Sequence, residues 1–387
     1  MKILQVIPTL SAGGAEGFIT NLSCDLSSRG HDVSIALLAG VRGERGNVLL
    51  DRLKQSGVTV YGESERAPAS VRNLLWLRGL FMRLQPDIVQ ANLYAAEVAC
   101  LFARLLVWRR RTKYVRRLAN TTLYKKWGGK YGYWLRGMLF DHTVACSGAV
   151  LDAHRSLVGF WDRGESSVIV NGGFLYPDTG RSASPGQAKQ IFGLKENDFL
   201  VAHIGSMMRR AGGGLSSAQK AHDVLLKAFA EAFRGCPDTF LALCGDGELR
   251  DELELLASEL DVAEQVKFLG CLPEPWPLLE AADAFCFPSR YEGMPNVLPE
   301  AASCGLPIIA SDIDEIRSIK LGESWILCPV DDVYSLADAL RTVRSRYCDF
   351  VSEAKALVYA ANERFSMRAC GAMYENCYQK VLMEGRL

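Results

Sequence analysis

The stretch FPSRYEGMPNVLPEAASCGLPIIAS, residues 287–311, carries the strongest structural signal in the sequence. A short apolar run at its start predicts a strand, and the loop that follows contains Glu292. A helix is expected to begin near Asn296, a residue type that caps helix N-termini. Gly305 and Pro307 are expected to end that helix before the next apolar strand. Strand, helix and strand in this order indicate a parallel sheet covered by helices.

The same alternation of short apolar runs and longer helical segments extends outward over the 387 residues. Strand-like runs occur at KILQVIP (2–8), HDVSIALL (31–38), DIVQAN (87–92), HTVACS (142–147), FLVAHIG (199–205), TFLALCG (239–245) and VKFLG (266–270). A chain of this length exceeds what one hydrophobic core usually serves, so two domains are expected. The predicted fold class is α/β, with two Rossmann-like domains facing each other across a cleft and ligands at the carboxyl ends of the strands.

The domain boundary is placed in the segment YPDTGRSASPGQ, residues 176–187, because it is rich in Gly, Pro and Ser. The N-terminal domain is therefore expected at 1–178 and the C-terminal domain at 188–365. Residues 366–387 are predicted to form a C-terminal helix that packs back on the N-terminal domain.

The formal net charge of zero hides an asymmetry between the two halves of the chain. Residues 1–180 carry 23 Lys and Arg against 14 Asp and Glu, a net +9. Residues 181–387 carry 21 against 30, a net −9. A basic half and an acidic half suggest a polyanionic partner on one side only.

The twelve cysteines are scattered singly, without a C-x-x-C pair, which favours buried reduced thiols in a cytosolic protein. The N-terminal run is too short for the core of a signal peptide. No apolar run approaches the ~20 residues that a bilayer span needs. The sequence therefore predicts a protein that does not span a membrane.

Glu292 and Glu300 are separated by seven residues that cross a loop and the start of a helix. This spacing places the two carboxylates roughly 10 Å apart, which is too far for a close acid/base dyad. A separation of this size suits a ligand in which a diphosphate joins two hydroxyl-bearing rings. The free N–H groups at the helix start would favour the diphosphate.

With its context E-G-M-P-N-V-x-x-E-A, this pair closely resembles the E-x7-E motif of the retaining GT-B glycosyltransferases of group 1. The resemblance implies that Glu292 holds hydroxyls of the donor sugar and that Glu300 holds the nucleotide ribose. It also implies that the backbone of the segment between them contacts the sugar and phosphates: Gly293, Met294, Pro295, Asn296 and Val297. The alternative is that Glu300 only complements the helix dipole.

Two further glycine turns fall where this family has them. Gly13 and Gly14 lie in the loop after the first strand, where the family's glycine loop approaches the donor phosphate and the acceptor. The sequence there is not G-x-G-x-x-G, so a dinucleotide cofactor is not indicated, and a plain tight turn is the alternative. Gly245, in a GDG triplet, would frame the nucleotide base.

The phosphate-binding side departs from the family pattern. After the HIG run the family usually has an arginine and then a lysine, both on the diphosphate. Here Ser206 follows, so we expect Arg209 or Arg210 to replace the arginine and Lys220 to keep the role of the lysine. The alternative is that both arginines are exposed loop charges. The glycine-rich segment 211–219 suggests a flap that orders over bound donor.

In the N-terminal half, many relatives offer a histidine to the sugar near the strand that here reads KYVRRLANTT, residues 113–122. This stretch has no histidine, and Asn120, with Arg116 or Arg117 nearby, is the candidate substitute. Asp312 and Asp314 form a D-x-D, the metal-binding pattern of GT-A transferases, but after E-x7-E a turn or cap role is favoured. No metal and no other cofactor are expected.

Residues 98–140 contain no acidic residue but hold eleven Arg and Lys interleaved with Trp and Tyr. Basic and interfacial aromatic residues suit anionic lipid head groups, so we predict that residues 104–136 contact an anionic membrane surface. A solvated basic face around core aromatics is the alternative. No recognition motif supports nucleic acid as a partner.

The resemblance implies an enzyme that moves a sugar, with retention of anomeric configuration, from a nucleotide-diphosphate sugar to a glycan or polyprenyl-diphosphate-linked acceptor. A UDP-sugar is the favoured donor. Cell-surface polysaccharide synthesis in the cytoplasm, on the inner face of the membrane, would follow. Two alternatives stay open: a sugar-nucleotide epimerase or PLP phosphorylase of the same fold, and a non-catalytic nucleotide-sugar-binding protein. No carboxylates placed for C2 proton abstraction and no Schiff-base lysine are apparent in the sequence.

Overall fold

The structure is a computed structural model. The residues that it describes are 1–11, 13–64, 71–107, 111–119, 139–158, 165–173, 185–209 and 213–384. They form two compact units, one of Met1–Phe174 with Phe365–Leu387 and the other of Leu175–Arg364. Of the predicted linker, residues 176–187, residues 176–184 lie outside the described residues and the last three begin a helix.

The first unit alternates strands and helices along the chain. Its elements up to residue 168 are β1 (Lys2–Ile7), α1 (Gly14–Ser28), β2 (Asp32–Leu37), α2 (Gly43–Gln55), β3 (Thr59–Tyr61), α3 (Val71–Leu84), β4 (Ile88–Asn92), α4 (Tyr94–Leu105), β5 (Lys113–Leu118), β6 (His142–Ala145), α5 (Gly148–Val158) and β7 (Glu165–Val168). Within the described residues the strands form a parallel sheet in the order β3-β2-β1-β4-β5-β6-β7.

The second unit repeats this plan. Its elements are α6 (Pro185–Ile191), β8 (Phe199–Ile204), α7 (His222–Phe233), β9 (Thr239–Cys244), α8 (Arg250–Glu259), β10 (Val266–Gly270), α9 (Trp276–Ala281), β11 (Ala284–Phe287), α10 (Val297–Ser303), β12 (Ile308–Ser311), α11 (Asp314–Arg317), β13 (Trp325–Cys328), α12 (Val333–Ser345), α13 (Tyr347–Ala356) and α14 (Val358–Phe365). Its described strands form a parallel sheet in the order β10-β9-β8-β11-β12-β13. A last helix, α15 (Met367–Glu384), belongs to the first unit.

Strand β1 shows why the sheets are buried on both faces. Its side chains alternate, so Ile3 and Ile7 join a core with α1, α2 and α15, whereas Leu4 and Val6 join a second core with α3 and α4. Continuous apolar strands of this kind are typical of parallel sheets covered by helices. No helix among the described residues is long and apolar enough to cross a bilayer.

A closed ring of hydrogen bonds fastens α15 to the first sheet. Gln5 Nε2 donates to Tyr378 Oη (3.3 Å), which donates to Gln90 Oε1 (2.6 Å). Gln90 Nε2 donates to Asn92 Oδ1 (2.9 Å), and Asn92 Nδ2 donates back to Gln5 Oε1 (2.8 Å). All four side chains are fully buried, so each bond satisfies a group that has no access to water.

Candidate functional site

The candidate site lies in the second unit, at the carboxyl ends of its parallel strands. The loops after β8, β9, β11 and β12 gather there because parallel strands end at the same edge of a sheet. Two loops cross at Gly245, where a Cβ would collide with the backbone oxygen of Gly205. Gly245 has φ +142°, a conformation that favours glycine. The predicted residue Gly245 therefore shapes the loop crossing.

Lys220 and Glu292 meet at the centre of these loops. Lys220 Nζ lies 2.7 Å from Glu292 Oε1, and the carboxylate is buried, with 5% of the residue exposed. The same ammonium lies 4.7 Å from the centre of the Phe287 ring, which adds a cation–π contact. The structure thus brings together the two residues predicted to hold the sugar and the diphosphate.

The loops that carry this pair are tied together by Arg290. Its guanidinium Nη2 lies 3.1 Å from both carboxylate oxygens of Asp223, and Nη1 donates to the Ala218 carbonyl (2.7 Å). Gln219 accepts from the Arg290 backbone N–H (2.8 Å) through its carbonyl and donates through Nε2 to the Tyr291 carbonyl (3.0 Å). These contacts fix the segment before Lys220 against the segment before Glu292. Sequence reasoning missed Arg290, although its place two residues before Glu292 was a signal.

Two buried histidines lie behind Lys220. The rings of His203 and His222 are perpendicular with centroids 4.7 Å apart, and His203 stacks on Phe287 at 5.8 Å. His203 Nδ1 lies 2.9 Å from the Cys286 carbonyl and donates to it. Burial lowers the pKa of His222 to about 4 and that of His203 well below its usual value. Both rings are therefore neutral at physiological pH, so they add no positive charge beside Lys220.

Gly205 completes the surroundings of Lys220. A Cβ at this position would lie 2.8 Å from His203 Nε2 and 3.1 Å from Lys220 Cγ, so a larger residue would displace both side chains. Ala221, directly after the lysine, has a left-handed backbone (φ 50°, ψ 41°) and precedes the first residue of α7. This turn brings the chain from the lysine into the helix.

The segment between the two glutamates is packed into the unit. Gly293, Met294 and Pro295 are buried, and Asn296 and Val297 are half-buried at the start of α10. Asn296 occupies the N-cap position of α10, as predicted, but it has helical backbone angles and its side chain makes no capping hydrogen bond. Glu300 lies in the first turn of α10, as the motif predicts, and it is half-buried.

Glu315 is a carboxylate of this site that sequence reasoning missed. It lies in α11, after β12, and is 9% exposed. Burial raises its pKa, and the negative charges of Asp314 and Glu292 raise it further. Glu315 and Glu292 follow adjacent parallel strands, so both project from the same edge of the sheet. Glu315 therefore adds a second buried carboxyl near the Lys220–Glu292 pair.

The D-x-D carboxylates make ion pairs with an arginine. Arg317 Nη1 lies 2.7 Å from Asp314 Oδ1, and its Nε lies 2.5 Å from Asp312 Oδ1. Within the described part of the chain, no group of three or more His, Cys, Asp or Glu is arranged to hold a metal ion. Asp312 and Asp314 thus stabilise the turn that leads into α11.

Arg209 makes ion pairs with acidic residues of its own unit. Its Nη2 contacts Glu252 Oε1, and its Nε lies 3.8 Å from Glu248 Oε2. The side chain is partly exposed, which matches the alternative of a loop charge. Arg210 lies outside the described residues. Which of the two arginines contacts a diphosphate stays a prediction.

The glycine loop of the first unit, which contains Gly13 and Gly14, packs against the carboxylate of Glu16. Helix α1 begins at Gly14, and Gly13 occupies the N-cap position. The carboxylate of Glu16 folds back and accepts from Ser11 Oγ (3.1 Å), so a Cβ on Gly13 would collide with it. A larger residue at position 13 would therefore require the Glu16 side chain to move away from Ser11.

The described basic residues of the stretch 98–140 differ in burial: Arg116 and Arg117 are internal, Arg104 and Lys113 are half-buried, and Arg111 is exposed. Arg116 and Arg117 are fully buried in β5, where Arg116 Nε donates to Thr143 (2.9 Å) and Arg117 Nη2 donates to Asn171 (2.6 Å). The expectation that these two arginines belong to a membrane-facing surface is wrong, because β5 is an inner strand covered on both faces. Asn120 and most other members, residues 108–110 and 120–138, lie outside the described residues.

Two family models match the chain. A model described as glycosyl transferases group 1 matches residues 211–345, and one described as glycosyltransferase family 4 matches residues 12–172. The first match contains Lys220 and the segment from Glu292 to Glu300. The second contains the glycine loop.

Among curated proteins, the lipopolysaccharide core biosynthesis glycosyltransferase LpsD of Rhizobium meliloti (strain 1021) is 27% identical over 89% of this chain and 88% of its own length. UDP-Gal:alpha-D-GlcNAc-diphosphoundecaprenol alpha-1,3-galactosyltransferase of Escherichia coli is 29% identical over 45% of this chain and 44% of its own length. The uncharacterized glycosyltransferase MJ1059 of Methanocaldococcus jannaschii is 31% identical over 36% of this chain and 31% of its own length. For the last two relatives the match spans less than half of their length.

Solved structures resemble the whole chain. Anabaena Alr3699/HepE in complex with UDP-glucose has a TM-score of 0.80 and 20% identity, covering 98% of this chain and 100% of that one. The apo form of the lipopolysaccharide outer core galactosyltransferase WaaB has a TM-score of 0.69 and 17% identity, covering 100% of both chains. These likenesses show the fold, which is GT-B with two Rossmann-like domains.

Proposed function

Because the chain belongs to the group-1 glycosyltransferases, we propose that it transfers a sugar from a nucleotide-diphosphate sugar to a glycan or lipid-linked acceptor. The ion pair between Lys220 and Glu292 is the observation that carries this proposal. It presents a hydrogen-bond acceptor and a cation side by side at the carboxyl ends of the strands. A sugar joined to a diphosphate offers hydroxyl donors and negative charge at a matching spacing.

In this proposal each residue of the pair has a separate role. Glu292 accepts hydrogen bonds from hydroxyls of the donor sugar, and Lys220 stabilises the departing diphosphate. Glu300, in the first turn of α10, holds the nucleotide ribose. The neutral rings of His203 and His222 help to place the ammonium without competing for the anion.

We further propose that transfer proceeds with retention of configuration and without a metal ion. The leaving phosphate would take the proton of the acceptor hydroxyl on the same face of the sugar, since no dedicated base is assigned among the described residues. Asp312 and Asp314 form ion pairs with Arg317. These pairs support the view that side chains supply the positive charge that stabilises the diphosphate. Activity is therefore expected to persist in the presence of EDTA.

A UDP-sugar is the proposed donor, and a polyprenyl-diphosphate-linked glycan is the proposed acceptor. HepE was solved with UDP-glucose, and the name of the E. coli relative gives both UDP-Gal and a diphosphoundecaprenol acceptor. LpsD is named for lipopolysaccharide core synthesis. These likenesses support a role in cell-surface polysaccharide synthesis, and we propose that it takes place on the cytoplasmic face of the membrane.

The test starts with thermal shifts of the full chain against UDP- and GDP-sugars, because a ligand that binds the folded state raises its melting temperature. The donor with the largest shift is then used to measure hydrolysis and transfer. Glu292→Gln is expected to lose activity, and Glu264→Gln, which changes an exposed glutamate, is the matched control. Full activity of Glu292→Gln would contradict the proposed site.

Two other outcomes would point to a different protein. Tight donor binding without hydrolysis or transfer to any tested acceptor would indicate a binding protein. Conversion of the donor to its C2 epimer would indicate an epimerase of the same fold.

A further inference from the structure

The positive charges at the carboxyl edge of the second sheet are balanced by carboxylates. In the loops after β8, β9, β11 and β12, and in the first helical turn after each, every Lys or Arg that the structure describes lies within ion-pair distance of an Asp or Glu. The pairs are Lys220 with Glu292, Arg290 with Asp223 and Asp331, Arg209 with Glu248 and Glu252, Arg250 with Asp246 and Glu254, and Arg317 with Asp312 and Asp314. Glu315 adds a further buried carboxyl. The described site therefore holds no excess positive charge, whereas a nucleotide-diphosphate sugar brings a negative charge on each phosphate group.

Two buried histidine rings, His203 and His222, lie directly behind Lys220. His203 Nδ1 donates to the Cys286 carbonyl, so the other ring nitrogen, Nε2, carries the lone pair of the neutral ring. This Nε2 atom is buried and makes no hydrogen bond with any described residue. It faces Gly205, because a Cβ there would lie 2.8 Å from it and 3.1 Å from Lys220 Cγ. A proton acceptor without a partner therefore lies beside the stem of the lysine.

The surroundings of the two rings keep both of them neutral at physiological pH. Burial is the largest cause: it lowers the pKa of His222 to about 4 and that of His203 well below its usual value. The charged groups that face the rings are the ammonium of Lys220, the guanidinium of Arg290 and the carboxylate of Asp223. Lys220 lowers the pKa of both rings, so an anion bound at Lys220 offsets this charge and raises both pKa values.

We propose that binding of the donor diphosphate at Lys220 is coupled to the uptake of one proton from solvent by the pair of His203 and His222. The ring centroids are 4.7 Å apart, so a second proton would be repelled by the first. The protonated pair supplies, behind the lysine, the positive charge that the described ion pairs lack, and the proton returns to solvent when the nucleotide diphosphate leaves. This inference rests on the proposed function, since it requires that Lys220 holds the diphosphate.

The coupling gives donor affinity a pH dependence of definite sign. The pKa of the histidine pair is low in the free protein and higher in the donor complex, so the complex binds more protons. The donor Kd therefore falls as the pH falls through the higher pKa. Uptake of one full proton corresponds to about a tenfold change in Kd per pH unit. The nucleotide sugar adds nothing to this dependence, because its diphosphate stays ionised over the whole range.

The experiment is isothermal titration calorimetry of the full chain with a nucleotide sugar at pH 6.5, in PIPES and in ACES buffer. UDP-glucose is the first probe, and GDP-mannose is the second. The two buffers differ in ionisation enthalpy, so the difference between the two binding enthalpies gives the number of protons taken up per donor bound. Wild type is expected to take up a proton in a substantial fraction of binding events. Its Kd is expected to be about threefold lower, or more, at pH 6.5 than at pH 7.5.

The double variant His203→Gln/His222→Gln has neither ring to protonate, so it is expected to take up no proton and to lose the difference in Kd between the two pH values. A merely structural role of the rings would instead weaken binding equally at both. His31→Gln is the matched control, because His31 directly precedes β2 at the amino end of the first sheet. Glu315→Gln removes the other carboxyl of the site whose pKa is raised, and it is expected to keep the wild-type uptake.

Equal binding enthalpies of wild type in the two buffers would overturn the proposal. Uptake that persists in the double variant and is lost in Glu315→Gln would also overturn it, because the proton would then belong to Glu315. Melting temperature shows whether the double variant is folded. If it is not, the single variant His222→Gln, expected to take up about half of the wild-type protons or fewer, replaces it. If no nucleotide sugar binds, the proposed function fails and this inference with it, whereas binding without proton uptake contradicts this inference alone.

Discussion

Lys220 and Glu292 form a 2.7 Å ion pair across 72 residues of sequence, joining the loop after β8 to the loop after β11. Glu292 is buried and Lys220 is largely so, which makes the pair costly to break from either side. The contacts of Arg290 and the two histidines hold the loops in place around it. The site is therefore preorganised by residues that do not all belong to the motif.

The pair between Arg290 and Asp223 is expected to stabilise the second unit. Asp223→Asn removes one buried partner of a guanidinium that contacts both carboxylate oxygens, so we expect a loss of roughly 3 kcal/mol in the free energy of unfolding. Urea denaturation measures it. Asp331→Asn changes the exposed partner of the same guanidinium and should cost less than about 1 kcal/mol. Equal losses of unfolding free energy in the two variants would show that the buried partner of Arg290 contributes no more than the exposed one.

Acid is expected to destabilise the second unit through His222. Its pKa falls from 6.5 in the unfolded chain to about 4 in the fold, so below pH 6.5 the unfolded state binds more protons. Stability present above pH 6.5 is therefore lost as the pH falls towards 4, by about 3 kcal/mol. Urea denaturation at several pH values should give a shallower loss for His222→Gln than for wild type. Parallel curves would mean that His222 does not carry this dependence.

The neighbouring carboxyl of Glu315 should show the opposite dependence. Its pKa is raised in the fold, so the stability it provides is present below pH 4.5 and is lost as the pH rises through the raised value. Gln stays neutral at every pH, so Glu315→Gln is expected to raise the melting temperature at pH 7 and not below pH 4.5. Calorimetry checks this result. A lower melting temperature at pH 7 would show that the ionised carboxylate stabilises the fold.

In the first unit, Tyr378→Phe breaks the closed ring of hydrogen bonds. It leaves the Gln90 oxygen and the Gln5 amide without the bonds that the hydroxyl supplied, so we expect a cost of about 2 kcal/mol. Urea denaturation compares this variant with Tyr359→Phe, which removes the hydroxyl of a highly exposed tyrosine. A cost no greater than that of the control would show that the ring adds nothing to stability.

The fold and the centre of the site follow from local patterns. Parallel strands read as continuous apolar runs, and a motif with a fixed spacing places Glu292 and Glu300 on a loop and a helix start. Lys220 could be predicted because the family that the chain resembles has a lysine shortly after the run that here reads HIG (203–205). Each of these signals lies within about twenty residues of sequence.

The contacts that were missed depend on distant parts of the chain. Arg290 and Asp223 are 67 residues apart, and His203 lies in a strand where any buried residue would fit the pattern. From the sequence, Arg116 and Arg117 are predicted to be surface charges because they belong to a run of many basic residues. The sequence does not show where their strand lies in the sheet. Side chains of β5 join the cores on both faces of the sheet, Val115 on one face and Tyr114 on the other, and both arginines are buried.

The most direct test of the account is a double-mutant cycle on turnover with Glu292→Gln, Lys220→Met and the combined variant, using the donor that gives the largest thermal shift. If the two residues hold the donor as one unit, each single variant loses about a hundredfold or more in kcat/KM. The combined variant then loses little beyond the larger single loss. Losses that multiply, or a single variant with wild-type kcat/KM, would contradict the central role of this pair.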